Sequence, residues 1–278
     1  MQTNTYTRRL IDISGADAKK FLQGIITADI ALLRDDVLLC TAFLSPQGKL
    51  LYDGFLLARG EKILLDIDAQ QADACLTMLK RYKLRANVSF ADSDLQLSLH
   101  IQHGLPDPRH ADLPKRSYNK ELLSDALSDI DYHTMRLQHA IIEAAYDNAN
   151  DTAMDLGYDL LGAISFTKGC YVGQEVTARM KYKQIARKIP MRVEMPAPIA
   201  STAIDIMAGT VSLGTLRSFI TTNNSTLGVA LIKLDSWHDA NTSHTPITFE
   251  SHPIILSVED WCAPRMKLWS QGQAAPLT

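Results

Sequence analysis

The stretch VLLCTAFLSPQGKLLYDGFLLA, residues 37–58, decides the fold class of this sequence. Two apolar runs of strand length, 37–44 and 50–58, flank the segment SPQGK, whose Pro and Gly are typical of a tight turn. The stretch is therefore predicted to form a β-hairpin, in which the two strands pair antiparallel. Antiparallel pairing argues against a doubly wound parallel sheet, so the strands and helices that surround the hairpin predict an α+β fold.

The surrounding segments show the two periodicities of strands and helices. Alternating apolar residues predict strands, and apolar residues three and four apart predict helices that begin at capping side chains. A segment with three prolines, residues 104–120, is predicted to be a surface connection. The predicted elements are strands at 9–13, 62–67 and 95–101 and helices capped by Ser14, capped by Asp68, and over 129–145.

The composition changes near residue 189. Pro190, Pro196 and Pro198 precede short β-rich runs at 209–220, 227–234 and 254–258, separated by polar turns. Short strands at this spacing are typical of a small all-β barrel. We therefore predict two domains, residues 1–188 and residues 189–278.

Composition excludes several functional classes. The 278 residues are 46% hydrophobic and 21% charged, with a formal net charge of −3, so wholesale disorder and a general nucleic-acid coat are both excluded. No apolar run approaches the roughly 18–20 residues that a membrane-spanning helix needs. No secretory or twin-arginine signal is readable, and the four cysteines form no CxxC pair, so a cytoplasmic protein with reduced thiols is expected.

The segment KGCYVGQEVTAR, residues 168–179, carries the chemistry. Two glycines bracket Cys170, and a helix is predicted beyond Gly173. Cys170 would then lie just ahead of a helix N-terminus and two residues from Lys168, and both features favour a thiolate. A thiolate there can act as nucleophile, redox group or metal ligand. The ordinary role of a lone cysteine, as a small core residue, is assigned to Cys40 and Cys75.

The same segment resembles the signature of the YgfZ-type folate-binding proteins, which are iron–sulfur cluster assembly and repair factors related to the glycine cleavage T-protein. The cysteine motif is highly specific. ISGADA (13–18), FLQG (21–24) and TAD (27–29) resemble the amino-terminal signature that both groups share, and YKLR (82–85) and DPR (107–109) follow in the expected order. The resemblance covers most of the chain.

The resemblance implies a T-protein-like domain with antiparallel sheets, helices and a central folate cavity, followed by a carboxy-terminal β-barrel. It implies tetrahydrofolate as cofactor, and iron–sulfur client proteins (including tRNA-modifying radical enzymes) and assembly machinery as partners, with no direct nucleic-acid contact. Cys170 and Lys168 would be the reactive pair. The candidates for cofactor contact are Tyr171, Gly173, Gln174, Glu175 and Arg179.

Several alternatives stay open at this stage. A tetrahydrofolate-dependent aminomethyltransferase is disfavoured because the SPQGK turn lacks a carboxylate and Asp53 lies further on, inside the second strand. A plain interaction module would leave Cys170 structural. Five basic residues suit either a folate glutamate tail or a solvated face: Arg179, Lys181, Lys183, Arg187 and Lys188. The histidines are scattered, and no metal site is predicted.

Overall fold

The amino-terminal part of the protein is built on a five-stranded sheet. The computed structural model describes residues 7–123, 125–147, 150–183, 186–196, 198, 204–222 and 224–273. Every neighbouring pair in this sheet is antiparallel, and the spatial order is β2-β3-β4-β1-β5. The strands are β1 (Arg8–Ser14), β2 (Leu39–Leu44), β3 (Leu50–Arg59), β4 (Lys62–Asp68) and β5 (Ser89–Asp92). The predicted hairpin is confirmed as β2 and β3.

One face of this sheet is covered by α1 (Ala18–Gln23) and α2 (Ala69–Lys83). The Asp68 carboxylate accepts a hydrogen bond from the Gln70 amide and caps α2, as predicted. The apolar side chains of Ala72, Cys75, Leu76 and Leu79 on α2 are buried in one core cluster with strand residues such as Ile13 and Leu65. Helix α1 begins at Ala18 with Asp17 at its N-cap, so the prediction that Ser14 caps it is wrong.

The opposite face of the sheet carries the segments that lead to the carboxy-terminal part. They contain β6 (Gln96–His100), β7 (Lys115–Asn119), α3 (Asp129–Gln138) and α4 (Gln174–Lys183). The helix predicted over 129–145 ends at Gln138, because Ala140 has a φ of +51°, outside the right-handed helical region. The prediction of a surface connection at 104–120 is wrong for much of its length, since β7 pairs with β6 and Asp107, Arg109 and Arg116 are buried.

The carboxy-terminal part is a seven-stranded antiparallel sheet of order β13-β12-β9-β10-β11-β8-β14. Its two edge strands, β13 and β14, are separated along the chain by Ile254 alone, which draws the edges together into a near-closed barrel. This confirms the predicted fold class. The elements are β8 (Lys188–Met195), β9 (Asp205–Ala208), β10 (Val211–Thr221), β11 (Thr226–Lys233), α5 (Leu234–Thr242), β12 (Ile247–Phe249), β13 (His252–Pro253), β14 (Ile255–Ser257) and α6 (Ala263–Gln273).

The two parts adjoin closely. Strand β8 begins at Lys188, beside the predicted boundary, yet Val229 and Leu231 of β11 pack into a core cluster of the amino-terminal part. The Trp261 indole donates a hydrogen bond to the His139 carbonyl, 2.8 Å away. The division at residue 188 stays a prediction. Within the described ranges, no helix combines the length and apolar character needed to cross a membrane.

Candidate functional site

Cys170 lies at the exposed end of a loop that leads into α4. The helix predicted beyond Gly173 is confirmed as α4, which begins at Gln174, four residues after the cysteine. The other three cysteines, Cys40, Cys75 and Cys262, are buried, and burial raises the pKa of each of their thiols to about 12. Cys170 is therefore the thiol that solvent and other molecules can reach.

The loop is fixed to the segment that follows α1 on both sides of Cys170. Before the cysteine, the Lys168 ammonium donates hydrogen bonds to the carbonyls of Ile26 and Ala28, each 2.8 Å away. After it, the Val172 amide donates to the Gly24 carbonyl at 3.2 Å. The two Lys168 bonds join residues 142 and 140 positions apart, so packing of the domain, and not local sequence, holds the thiol in place.

Gly173 presses against the turn of the β2–β3 hairpin. Its φ is +84°, and a Cβ at this position would lie 2.6 Å from the Ser45 carbonyl oxygen and 2.9 Å from the Leu44 Cβ. Gly48 of the turn faces α4 in the same way, with a Cβ position 3.3 Å from Val176. The hairpin turn and the start of α4 thus meet through two glycines, which accounts for the glycine after the cysteine.

The predicted reactive and cofactor-contacting residues divide into buried and exposed groups. Lys168 is buried, and burial lowers the pKa of its ammonium to about 8 despite the opposing attraction of Asp29. The ammonium lies 5.0 Å from the centre of the buried Tyr171 ring, and burial raises the pKa of Tyr171 to about 12. Gln174 is half-buried, whereas Glu175 and Arg179 are exposed on α4.

The Lys168 ammonium thus donates its hydrogen bonds to two backbone carbonyls. That it favours the thiolate form of Cys170 stays a prediction.

The basic run around α4 is largely engaged in ion pairs. Lys181 lies 3.6 Å from Asp159, Arg187 lies 3.1 Å from Asp235, and Lys188 lies 2.8 Å from Asp151. Only Arg179 and Lys183 of the five are then exposed cations with no carboxylate within 4 Å among the described residues. A solvated, paired face therefore accounts for most of this run.

A buried charge network in the centre of the amino-terminal part was missed by sequence reasoning. Asp53 on β3 accepts hydrogen bonds from the Ala144 amide, at 3.1 Å, and from the Tyr158 hydroxyl, at 2.9 Å. Burial and the nearby Glu143 charge raise the pKa of Asp53 to about 6, against the effect of Arg8 and Arg109. Asp53 is therefore a buried member of a charge network, which its place inside a predicted strand does not indicate.

Glu143 is the second carboxylate of this network. It pairs with Arg109 at 2.5 Å and accepts a hydrogen bond from Tyr132. Burial alone would raise its pKa, but the guanidinium groups of Arg109, Arg136 and Arg8 outweigh burial and lower it. The available sequence signal was a single acid inside the apolar run AIIEAA, residues 140–145, because a charge that is buried needs partners.

The network also provides the test of whether the residues fit a folate. The Arg116 and Arg109 guanidinium groups lie 3.9 Å and 4.8 Å from the centre of the Phe55 ring. The Glu143 Oε2 atom is buried and has no hydrogen-bond partner among the described residues. The other carboxylate oxygen, Oε1, already accepts hydrogen bonds from Arg109 and Tyr132. Glu143 therefore has one free acceptor, which suits a single N–H donor such as one on a pterin ring.

Two open surface hollows among the described residues lie elsewhere. The larger, of about 740 Å³, is lined by Ser14, Gly15, Ala16, Arg59, Glu61 and Lys62. The other, of about 420 Å³, lies on the barrel and includes Trp237 and His244. Neither is lined by the Cys170 loop.

Comparison with known proteins relates the chain to iron–sulfur cluster assembly factors. Residues 186–264 match the family model described as the CAF17 C-terminal beta-barrel domain. The chain is 31% identical over 211 residues to the mitochondrial iron–sulfur cluster assembly factor IBA57 homolog of Pyricularia oryzae, covering 66% of this chain and 54% of that protein. It is 27% identical over 276 residues to the mouse mitochondrial IBA57, covering 82% and 76%. The chain spans about half the length of the fungal relatives it matches.

A solved structure supports the fold. The glycine cleavage system aminomethyltransferase T of Bartonella henselae superposes with a TM-score of 0.69 over 92% of this chain and 84% of that chain, at 14% identity. The chain is thus similar in sequence to IBA57-type assembly factors, and it has a T-protein-like fold whose carboxy-terminal barrel matches the CAF17 model.

The expectation of a cytoplasmic protein is wrong, because the relatives from fungi, mouse and Dictyostelium are named as mitochondrial. Free cysteines and unreadable secretory signals do not distinguish between these compartments.

Proposed function

We propose that this protein is a tetrahydrofolate-binding factor that supports the assembly or repair of [4Fe–4S] proteins through Cys170. The names of its sequence relatives support the role in iron–sulfur cluster assembly. The proposed partners are iron–sulfur client proteins, among them tRNA-modifying radical enzymes, and the machinery that builds their clusters.

The observation that carries this proposal is the exposure of Cys170 on a loop that is fixed on both sides. A cluster normally needs about four protein ligands, so a single thiol cannot hold one alone. The cluster is therefore the substrate, and Cys170 acts on it as a transient ligand or as a redox thiol. A client or assembly protein would meet this thiol at the surface. The anchoring of Lys168 and Val172 keeps the thiol in one position for that encounter.

Tetrahydrofolate is the proposed cofactor of the T-protein-like domain. Glu143 would accept a hydrogen bond from the pterin, and Asp53 lies in the same network. The proposed cofactor contacts near the thiol are Tyr171, Gly173, Gln174, Glu175 and Arg179. The bound cofactor would supply a reduced pterin.

An aminomethyltransferase is the second candidate, and one observation favours it. Asp53 is a buried carboxyl whose pKa of about 6 suits proton transfer near neutral pH. The fold match to an aminomethyltransferase is consistent with this activity but shows the fold alone.

The test is complementation of a strain that lacks its own copy, with the activity of a four-iron enzyme as readout. Cys170→Ser is expected to abolish support, whereas Thr167→Ala, an exposed change in the same loop, is expected to retain it. Equal secondary structure of both variants by circular dichroism excludes a folding defect. Full activity of Cys170→Ser would refute the role of the thiol.

Calorimetric titration with tetrahydrofolate tests the cofactor separately. We expect binding by the wild type and at least tenfold weaker binding by Glu143→Gln. Formation of methylene-tetrahydrofolate from an aminomethyl donor, lost in Asp53→Asn but kept in Cys170→Ser, would instead establish the enzyme.

A further inference from the structure

Two histidines and two carboxylates meet where the amino-terminal part touches the barrel. His110 and Asp112 lie in the connection between β6 and β7, His139 directly follows α3, and Glu259 precedes the 3-10 turn Asp260–Cys262. Because they come from three separate segments, their proximity is a product of tertiary packing alone.

The side chains face one another at short range. The Asp112 Oδ2 atom lies 3.7 Å from His139 Nε2 and 3.9 Å from His110 Nδ1. The two imidazole rings stack with their centres 3.9 Å apart and an angle of 25° between their planes. The ligand atoms that the three residues offer all fall within 4.8 Å of one another. Both imidazoles are mostly buried, at 25% and 18% exposure, whereas Asp112 is 71% exposed.

We propose that His110, Asp112 and His139 bind a divalent transition-metal ion such as Zn²⁺, and that Glu259 orients His139 for this purpose. Bond lengths of 2.0–2.2 Å to nitrogen and oxygen in a tetrahedral site place neighbouring ligand atoms about 3.4 Å apart. The separations of 3.7 Å and 3.9 Å from Asp112 need to close by a few tenths of an ångström, and the ligand atoms of the two histidines, within 4.8 Å of each other, must also move closer. The exposure of Asp112 gives the ion a path from solvent.

The surroundings of each histidine match those of a metal ligand. His139 directs Nε2 toward Asp112 and Nδ1 toward the Glu259 carboxylate, 3.7 Å away. A carboxylate behind the second ring nitrogen is the usual arrangement for a ligating histidine, since it fixes the tautomer and the ring. The His110 Nδ1 atom accepts a hydrogen bond from the Asp112 amide at 3.2 Å, so it carries a lone pair and not a proton on that side. Metal coordination would replace this bond.

The backbone around the cluster is well supported. The Leu113 amide donates to the His110 carbonyl at 3.2 Å and closes a turn that brings His110 and Asp112 together. The Trp261 indole fixes the carbonyl of His139, and Arg192 lies 3.5 Å from Glu259. The three proposed ligands thus all belong to the amino-terminal part, and Glu259 is the contact that the barrel makes with them.

The ligand types define the class of ion. Imidazole nitrogens suit Zn²⁺, Fe²⁺, Co²⁺ and Ni²⁺, whereas Mg²⁺ prefers a set of oxygen ligands. Three protein ligands leave a fourth position for water or a partner's ligand, as in catalytic and transfer sites.

The test is calorimetric titration of the full chain, freed of metal by chelation, with Zn²⁺ and separately with Mg²⁺. We expect one equivalent of Zn²⁺ to bind and Mg²⁺ not to compete. Asp112→Asn, an exposed change that leaves the core untouched, and His110→Gln should each weaken binding more than tenfold. Glu259→Gln should weaken it by about 10–100-fold, as expected for a carboxylate behind a ligand.

Two control variants distinguish this site from other ligands. Cys170→Ser should leave the affinity for Zn²⁺ unchanged, as should His252→Gln, an exposed histidine on the barrel. With Co²⁺ bound, the side-chain resonances of His110 and His139 should broaden most among the eight histidines. Unchanged affinity in Asp112→Asn and His110→Gln, loss of binding in Cys170→Ser alone, or no binding at micromolar Zn²⁺ would each overturn the proposal.

Discussion

Replacement of Gly173 by alanine tests whether the Cys170 loop is held by the β2–β3 turn. A left-handed φ costs a residue with a Cβ about 1–2 kcal/mol, and Gly173 has a φ of +84°. The added methyl group would also lie 2.6 Å from the Ser45 carbonyl oxygen and 2.9 Å from the Leu44 Cβ. Neither atom is at the end of a flexible side chain, so relief needs a backbone shift of the kind that costs roughly 1–3 kcal/mol. We expect Gly173→Ala to destabilise the protein by about 2–5 kcal/mol.

The matched control is Gly169→Ala, on the other side of Cys170. A Cβ at Gly169 meets no atom within 4 Å, and its φ lies outside the left-handed region. This variant should stay within about 0.5 kcal/mol of the wild type, as a surface substitution does. The free energies come from urea unfolding followed by circular dichroism, with the rate of Cys170 alkylation as a second readout. Equal free energies of unfolding for the two variants would show that the loop does not press on the turn.

Three further substitutions probe the buried charges and the contact between the two parts. The pKa of Asp53 is raised to about 6 in the folded protein, so the folded state binds this proton more tightly than the unfolded state does. The stability of the wild type relative to Asp53→Asn should therefore fall by up to about 3 kcal/mol as the pH rises from 4 to 6. A stability difference that does not change with pH in urea unfolding would contradict this. The pKa of Lys168 is lowered to about 8 in the folded protein, so between pH 8 and pH 10.5 the unfolded state binds a proton that the folded state has lost. The free energy of unfolding of the wild type should therefore rise by up to about 3 kcal/mol relative to Lys168→Met over this pH range. A free energy of unfolding that falls with pH there would refute the burial of the ammonium. A Cβ on Gly157 would lie 2.6 Å from the Trp261 ring, so Gly157→Ala should lower the melting temperature and shift the indole fluorescence; an unchanged spectrum would show that this ring does not rest on Gly157.

Local pattern was sufficient for most of the secondary structure. The β2–β3 hairpin and helix α2 follow from short-range features: apolar periodicity, a Pro-Gly turn and the capping carboxylate of Asp68. Residues 104–120 were misjudged because prolines and charges normally indicate surface, whereas here Asp107, Arg109 and Arg116 neutralise one another in the interior. In the sequence, Arg109 stands out only as the last residue of the segment DPR, residues 107–109.

The sequence directed attention to a candidate site but could not show its arrangement. The motif drew attention to Cys170, and the glycines on either side of it proved unequal: Gly173 is required by contact with Ser45, while Gly169 faces open space. The sequence could not show that the Lys168 ammonium binds backbone carbonyls near residue 27, because those atoms lie about 140 positions away.

By itself, the sequence determined the local elements and the α+β class, and its motif singled out Cys170 among the four cysteines. These properties follow from periodicity and turn chemistry, which act between neighbours along the chain. Only the tertiary structure decided which charges are buried, that Cys170 is the exposed thiol, and that His110 meets His139. These properties arise when distant segments pack and water is excluded between them, and the free energy of that packing depends on partners that no local pattern identifies.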